Sequence, residues 1–137
     1  SVKGYDSNGE NTGLFVNTTS AYDGITIDPK QETTTLEVNA SGDWIIEVQS
    51  INKMETISSG ETLSGSGDTV IVVSSYGSTA TISGNAGNNH FAVKSYGKKR
   101  DKLLVNTTEV YEGTVMLSGE PIILEIDAVG EWSITFD

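Results

Sequence analysis

The stretch that decides the fold lies at the end of the chain and reads Leu124-Glu-Ile-Asp-Ala-Val-Gly-Glu-Trp-Ser-Ile-Thr-Phe136. Apolar and polar residues alternate in it with period two, on both sides of a short link that contains a glycine. Such alternation is typical of an antiparallel sheet with one buried and one solvated face. The stretch therefore predicts two strands joined as a β-hairpin.

Earlier parts of the chain repeat this pattern. Residues 36–46 read Leu36-Glu-Val-Asn-Ala-Ser-Gly-Asp-Trp-Ile-Ile46 and match 124–134. Leu14-Phe-Val-Asn-Thr-Thr19 returns as Leu103-Leu-Val-Asn-Thr-Thr108, and Val2-Lys-Gly-Tyr5 matches Val93-Lys-Ser-Tyr96. Self-similarity of this kind identifies the architectural unit of a protein. The chain therefore holds an internal repeat.

The two copies differ in completeness. The copy at 65–137 has predicted strands at 69–74 and 79–83, and the copy at 1–51 has no counterpart to them. Without those strands the first copy would have an open sheet edge and a thin core. We therefore predict a single domain over 1–137, with the two copies packed face to face and residues 52–64 as connector. The alternative is that the first copy belongs to a longer array of such units.

Composition supports the same fold class. Glycine is abundant, proline is almost absent and cysteine is missing, while Thr, Val, Ile and Tyr dominate the segments between turns. We predict an all-β protein, an antiparallel β-sandwich of jelly-roll or Ig-like type with an internal repeat. The predicted strands of the first copy include 24–28 and 44–48. Alternation places Trp44 and Trp132 on apolar faces, which predicts that both indoles lie in the core.

Charge excludes two classes of partner. The formal net charge is −11. A surface so rich in carboxylates repels the phosphates of nucleic acid and the head groups of anionic membranes. No apolar run reaches the about 18 residues of a membrane span. We predict no nucleic-acid partner and no membrane insertion.

The second copy resembles a module that recurs in uncharacterised secreted and cell-surface bacterial proteins. The resemblance covers 65–137 and, in the first copy, 2–51. Its motifs, in order, are Gly65-Ser-Gly-Asp68, Asn89-His-Phe-Ala-Val93, Leu103-Leu-Val-Asn106, Tyr111-Glu-Gly113, Leu124-Glu-Ile-Asp-Ala128 and Gly130-Glu-Trp132. It implies an antiparallel β-sandwich without an active site, in an extracellular or cell-surface protein with neighbouring domains. The absence of cysteine suits surface proteins of Gram-positive bacteria, and it is equally compatible with the cytosol.

Tyrosines beside glycine-rich turns are candidates for ligand contact. Tyr5, Tyr76 and Tyr96 each lie near such a turn, and loops on a rigid sandwich often carry function. Tyr76 has no apolar neighbour in sequence that would bury it. A lone exposed tyrosine is also common without any role.

Two further features have no counterpart in the first copy. Lys98, Lys99 and Arg100 form the one basic cluster of an acidic chain, which predicts either a solvated hairpin loop or an anion contact. His90 is the single histidine and follows a polar loop. Because they do not recur, these residues and Tyr76 are the preferred places for a ligand.

Catalysis and metal binding find little support in the sequence. One histidine cannot form a zinc site, and no Gly-x-Ser-x-Gly nucleophile motif is present. We predict no enzyme activity and no cofactor. Asp6-Ser-Asn-Gly-Glu10 resembles part of an oxygen-rich Ca²⁺ loop, which leaves a structural calcium ion open.

These observations lead to three functional hypotheses. The first is a non-catalytic extracellular binding or adhesion module within a larger secreted or surface protein, with a polysaccharide or cell-surface glycan as its partner. The second is a structural spacer of a bacterial surface protein that binds no ligand. The third, a hydrolase, has the least support because nothing in the pattern builds a cleft.

Overall fold

The computed structural model describes all of residues 1–137, which form two compact units, 1–49 and 50–137. Strands are the only regular elements apart from a 3-10 turn at Ile51–Lys53. The all-β prediction is confirmed. None of the elements is a helix with the length and apolarity that crossing a membrane requires. That both units belong to one domain stays a prediction.

The unit 1–49 contains a single three-stranded antiparallel sheet. Its strands are β1 (Val2–Tyr5), β2 (Asn11–Val16) and β3 (Thr35–Val38), and β1 lies between the other two. The hairpin turn between β1 and β2 is closed by Asp6, whose Oδ1 accepts the backbone N–H groups of Asn8 and Glu10 at 2.8 Å each.

The unit 50–137 is a sandwich of two sheets. One sheet has the order β4-β6-β11-β8-β9 and the other β10-β7-β12-β5. All neighbours are antiparallel except the pair of β4 and β6, which is parallel. The strands are β4 (Glu55–Ile57), β5 (Thr62–Ser66), β6 (Thr69–Val73), β7 (Thr79–Gly84), β8 (Phe91–Gly97), β9 (Lys102–Thr107), β10 (Tyr111–Met116), β11 (Pro121–Ala128) and β12 (Glu131–Phe136). The predicted antiparallel β-sandwich is confirmed. Residues 52–64, predicted as a connector, supply β4 and most of β5.

The core lies between these two sheets. It is built from inward-facing side chains of both, namely Ile57, Ile71, Val73, Ala80, Ile82, Phe91, Val93, Val105, Leu117, Leu124, Ile126, Ala128, Trp132, Ile134 and Phe136. Burying aliphatic and aromatic side chains in this way stabilises each by about 1.5–3 kcal/mol relative to exposure.

The predicted hairpin at 124–136 is wrong, because β11 and β12 lie in opposite sheets. Both strands carry large apolar residues along one face, and those faces meet across the core instead of lying edge to edge. The link between β5 and β6 crosses in the opposite direction, from the four-stranded to the five-stranded sheet. The two crossings are joined by hydrogen bonds from Gly67 N–H to Gly130 O and from the Trp132 indole N–H to Gly67 O, both at 3.1 Å.

The first copy departs from the predicted pattern. Residues 24–28 and 44–48 form no strands. The prediction that both tryptophans lie in the core holds for Trp132, which is 4 % exposed, and is wrong for Trp44, which is 59 % exposed. The reason is that the unit 1–49 has no second sheet to cover an apolar face. The internal repeat is thus not confirmed as a complete structural repeat.

Replacing Leu124 by Ala should lower the free energy of unfolding of the unit 50–137 by about 2–5 kcal/mol, because it leaves a cavity between the sheets. Leu103→Ala is the matched control, since that leucine is half-exposed on the outside of the same sheet and should cost less than about 1 kcal/mol. Urea denaturation read by Trp132 emission, in a Trp44→Phe background, measures both. Equal losses in the two variants would contradict this core.

Candidate functional site

A connected group of polar side chains lies on the outer face of the five-stranded sheet. Strand alternation turns Val93 of β8 and Leu124 of β11 inward, so that Lys94, Tyr96 and Glu125 point away from the core. Glu125 lies directly opposite Lys94 in the register of the two strands.

Glu125 is the centre of this group. Its Oε2 accepts a hydrogen bond from Tyr96 Oη at 2.6 Å and lies 3.5 Å from Lys94 Nζ. The Glu125 side chain is only 16 % exposed. The short, charge-assisted bond from Tyr96 holds this carboxylate in place, and Lys94 adds a longer contact.

Tyr96 keeps its proton because of this position. Burial raises the pKa of its phenol well above the usual value, and the hydrogen bond to Glu125 raises it further. The hydroxyl therefore remains a donor to Glu125 at every pH that a biological ligand would meet. We call Lys94, Tyr96 and Glu125 the β8–β11 triad.

A second polar pair lies on the same face. Asp127 follows Glu125 by two residues, so that it points outward as well, and its Oδ2 is 3.3 Å from His90 Nε2. Both side chains are about half exposed. Burial and the nearby charge of Asp68 raise the pKa of Asp127, while His90 and Lys94 act in the opposite direction.

A shallow recess of about 260 Å³ adjoins the triad on the side of β9. It is open to solvent. Leu103, which is 51 % exposed, supplies an apolar surface next to the polar groups. The recess is lined by Lys94, Ser95, Tyr96, Asp101, Lys102 and Leu103.

The unit 1–49 contains strands with the same register. Its order β3-β1-β2 corresponds to β11-β8-β9, and Lys3 lies opposite Glu37 as Lys94 lies opposite Glu125. The pairing of β1 with β2 is irregular between residues 2 and 3. The pairing of β8 with β9 is irregular at the corresponding point, between residues 93 and 94.

The side chains of this second arrangement make the same contacts over longer distances. Tyr5 Oη donates to Glu37 Oε2 at 3.4 Å, and Lys3 Nζ lies 3.7 Å from Glu37 Oε1. Leu14, opposite Lys3, is 52 % exposed, almost the same as its counterpart Leu103. We call Lys3, Tyr5 and Glu37 the β1–β3 triad.

The predicted site residues are thus distributed over several places. Tyr5 belongs to the β1–β3 triad, Tyr96 to the β8–β11 triad, and His90 to the neighbouring pair with Asp127. Tyr76 lies in the link between β6 and β7, is 40 % exposed and acts electrostatically on Lys99.

The basic cluster forms the turn between β8 and β9 and bonds to the loop before β11. Lys99 Nζ lies 2.6 Å from Glu120 Oε1, and Arg100 Nη2 donates to Ser118 Oγ at 3.0 Å. Lys98 donates its backbone N–H to Glu120 O at 3.0 Å. The hydrogen bond between Lys99 and Glu120 raises the pKa of the lysine and lowers that of the glutamate. Part of the cluster's charge is therefore compensated within the protein.

Lys94, Glu125, Asp127 and Leu103 were not among the candidates predicted from the sequence. Apart from Tyr5 and Tyr96, the preferred candidates were residues that do not recur, on the ground that recurring residues serve the core. The sequence signal that could have found them is the recurrence of residues at outward-facing positions, which do not contribute to the core. Reading it requires the register of the strands as well as their alternation.

In the loop 6–10, which resembles part of a calcium site in sequence, the Asp6 carboxylate binds backbone groups. The Asp6 side chain accepts hydrogen bonds from backbone N–H groups of its own turn, and the bond from Glu10 lowers its pKa. No group of three or more His, Asp or Glu side chains is placed to hold a metal ion.

Comparison of the chain with models of protein families and with curated proteins gives no match. The resemblance to modules of bacterial surface proteins therefore stays a prediction.

Alkaline titration should show a late ionisation that belongs to Tyr96. Its pKa is raised, so its contribution to stability is complete below about pH 10, the ordinary tyrosine value, and is lost as the pH rises towards the value in the folded state. Phenolate absorbance should show a late ionisation in the wild type that is missing in Tyr96→Phe. An alkaline end of the titration that is the same in both proteins would contradict the hydrogen bond from Tyr96 to Glu125.

Proposed function

We propose that the chain is a non-catalytic binding module that holds a neutral carbohydrate on the outer face of β8, β9 and β11. The observation that carries the proposal is the fixed β8–β11 triad beside the exposed Leu103. In this proposal the module acts outside the cell or at its surface, as part of a larger protein, in keeping with the resemblance found in the sequence.

The chemistry of the face suits a sugar ring. A pyranose presents hydroxyl groups at its rim and C–H groups on its faces, so its binder needs placed polar atoms next to apolar surface. Glu125 and Asp127 offer carboxylate oxygens that accept from hydroxyls, Lys94 offers a donor, and Leu103 offers the apolar surface. Since Tyr96 already holds the largely buried Glu125 in place, little side-chain entropy is lost on binding.

Charge favours a neutral glycan over an anionic one. The chain has a net charge of −11, and Glu125 and Asp127 add carboxylates within the proposed site itself. A uronic or phosphate-bearing polymer would be repelled by both. The basic cluster at 98–100 compensates this charge only in part, because Lys99 is paired with Glu120.

The shape of the face supports binding over hydrolysis. Glycoside hydrolases place two carboxyl groups on either side of the scissile bond within a cleft. Glu125 and Asp127 instead follow each other on one strand and point to the same side of an open sheet.

Affinity gel electrophoresis in polyacrylamide with xylan, glucomannan or mixed-linkage β-glucan tests the proposal. At least one of these neutral polymers should retard the wild-type chain. Tyr96→Phe and Glu125→Gln should weaken this retardation about tenfold, the effect of losing one hydrogen bond to a charged group.

Tyr111→Phe is the matched control, because it removes a phenol hydroxyl from the other sheet of the same sandwich. It should leave the retardation unchanged. Migration unaffected by all three polymers would contradict the proposal and favour a spacer without ligand, for which two compact units in tandem are suited. Equal weakening by Tyr111→Phe and Tyr96→Phe would place the ligand elsewhere.

A further inference from the structure

We infer that the β1–β3 triad is a second carbohydrate site, so that one chain holds two short neutral oligosaccharides. This inference rests on the proposed function of the β8–β11 triad. It predicts that the unit 1–49 binds the same class of ligand with a lower affinity than the β8–β11 triad does.

Recurrence of outward-facing residues is the first argument. A repeated strand keeps its inward residues because a core requires them, whereas solvated positions are free to change. The outward position that is Thr35 in one copy is indeed Ile123 in the other. Four other outward positions carry the same residue in both copies, and they pair as Lys3 with Lys94, Tyr5 with Tyr96, Glu37 with Glu125 and Leu14 with Leu103.

Packing does not account for the presence of the same residues in the unit 1–49. Surface ion pairs such as Lys3 with Glu37 contribute little to stability, and that pair is about half exposed. Leu14 and Leu103 are exposed to almost the same extent, so neither is held in place by a core. A shared ligand explains why an acid, a base, a phenol and an exposed leucine are kept together.

The geometry predicts the weaker affinity. Glu37 is 56 % exposed against 16 % for Glu125, and its bond from tyrosine is 3.4 Å long against 2.6 Å. The carboxylate is therefore less firmly positioned before binding and loses more freedom on binding.

The second site also has fewer polar groups. Asn39 stands where the other unit has Asp127, so the pair with His90 has no counterpart. We expect an affinity at least tenfold below that of the β8–β11 triad, because each hydrogen bond to a charged group that is missing costs about a factor of ten.

Isothermal titration calorimetry of the full chain with xylohexaose, cellohexaose and mannohexaose tests the inference. The hexasaccharide that binds should show two classes of site in the wild type. The double variant Y96F·E125Q should keep only the weak class, and Y5F·E37Q only the strong one. Thermal unfolding of each variant shows that the fold is retained.

The outcomes separate the two claims. One site in the wild type, with Y5F·E37Q binding like the wild type, would overturn the second site and leave the proposed function standing. Heat from none of the three hexasaccharides, together with unretarded migration in the gels, would overturn both. Two sites that both survive in Y5F·E37Q would also overturn the inference.

Discussion

The structure of the larger unit depends on the packing of β11 against β12 across the core. Leu124, Ile126 and Ala128 of one strand meet the sheet that carries Trp132, Ile134 and Phe136. Trp132 lies so close to its partner Gly65 in β5 that a Cβ there would stand 2.5 Å from the indole ring, which only glycine avoids. The packing between the sheets therefore requires these apolar faces of β11 and β12 to point inward.

The outward face of the same strands is then determined as well. With Leu124 and Ile126 turned inward, Glu125 and Asp127 must point to solvent, and the pairing with β8 brings Lys94 opposite Glu125. A shift of one residue in this register would move the apolar residues of β11 out of the core. The packing of the core therefore also fixes the geometry of the β8–β11 triad, although no residue of that triad belongs to the core.

Period-two alternation was enough to predict the all-β class and the strands at 69–74 and 79–83. It could not predict that 124–136 crosses between sheets, because a hairpin and a crossing share one alternation and differ only in which partner each strand finds. It failed at Trp44, since alternation shows an apolar face and not whether a second sheet covers it. Tyr5, Tyr96 and His90 were candidates from the sequence alone, but Glu125 was not, because its place in the proposed site follows from its neighbours on β8.

In the proposed function, the outer face of β8, β9 and β11 is a preformed carbohydrate surface. A map of backbone amide chemical shifts of the full chain, during titration with soluble glucomannan oligosaccharides, tests this proposal. We expect the largest shifts at 92–96, 103–106 and 123–127, with smaller ones at 3–5 and 35–37. Shifts confined to Tyr76 and the loop 98–100, or to the four-stranded sheet, would contradict it.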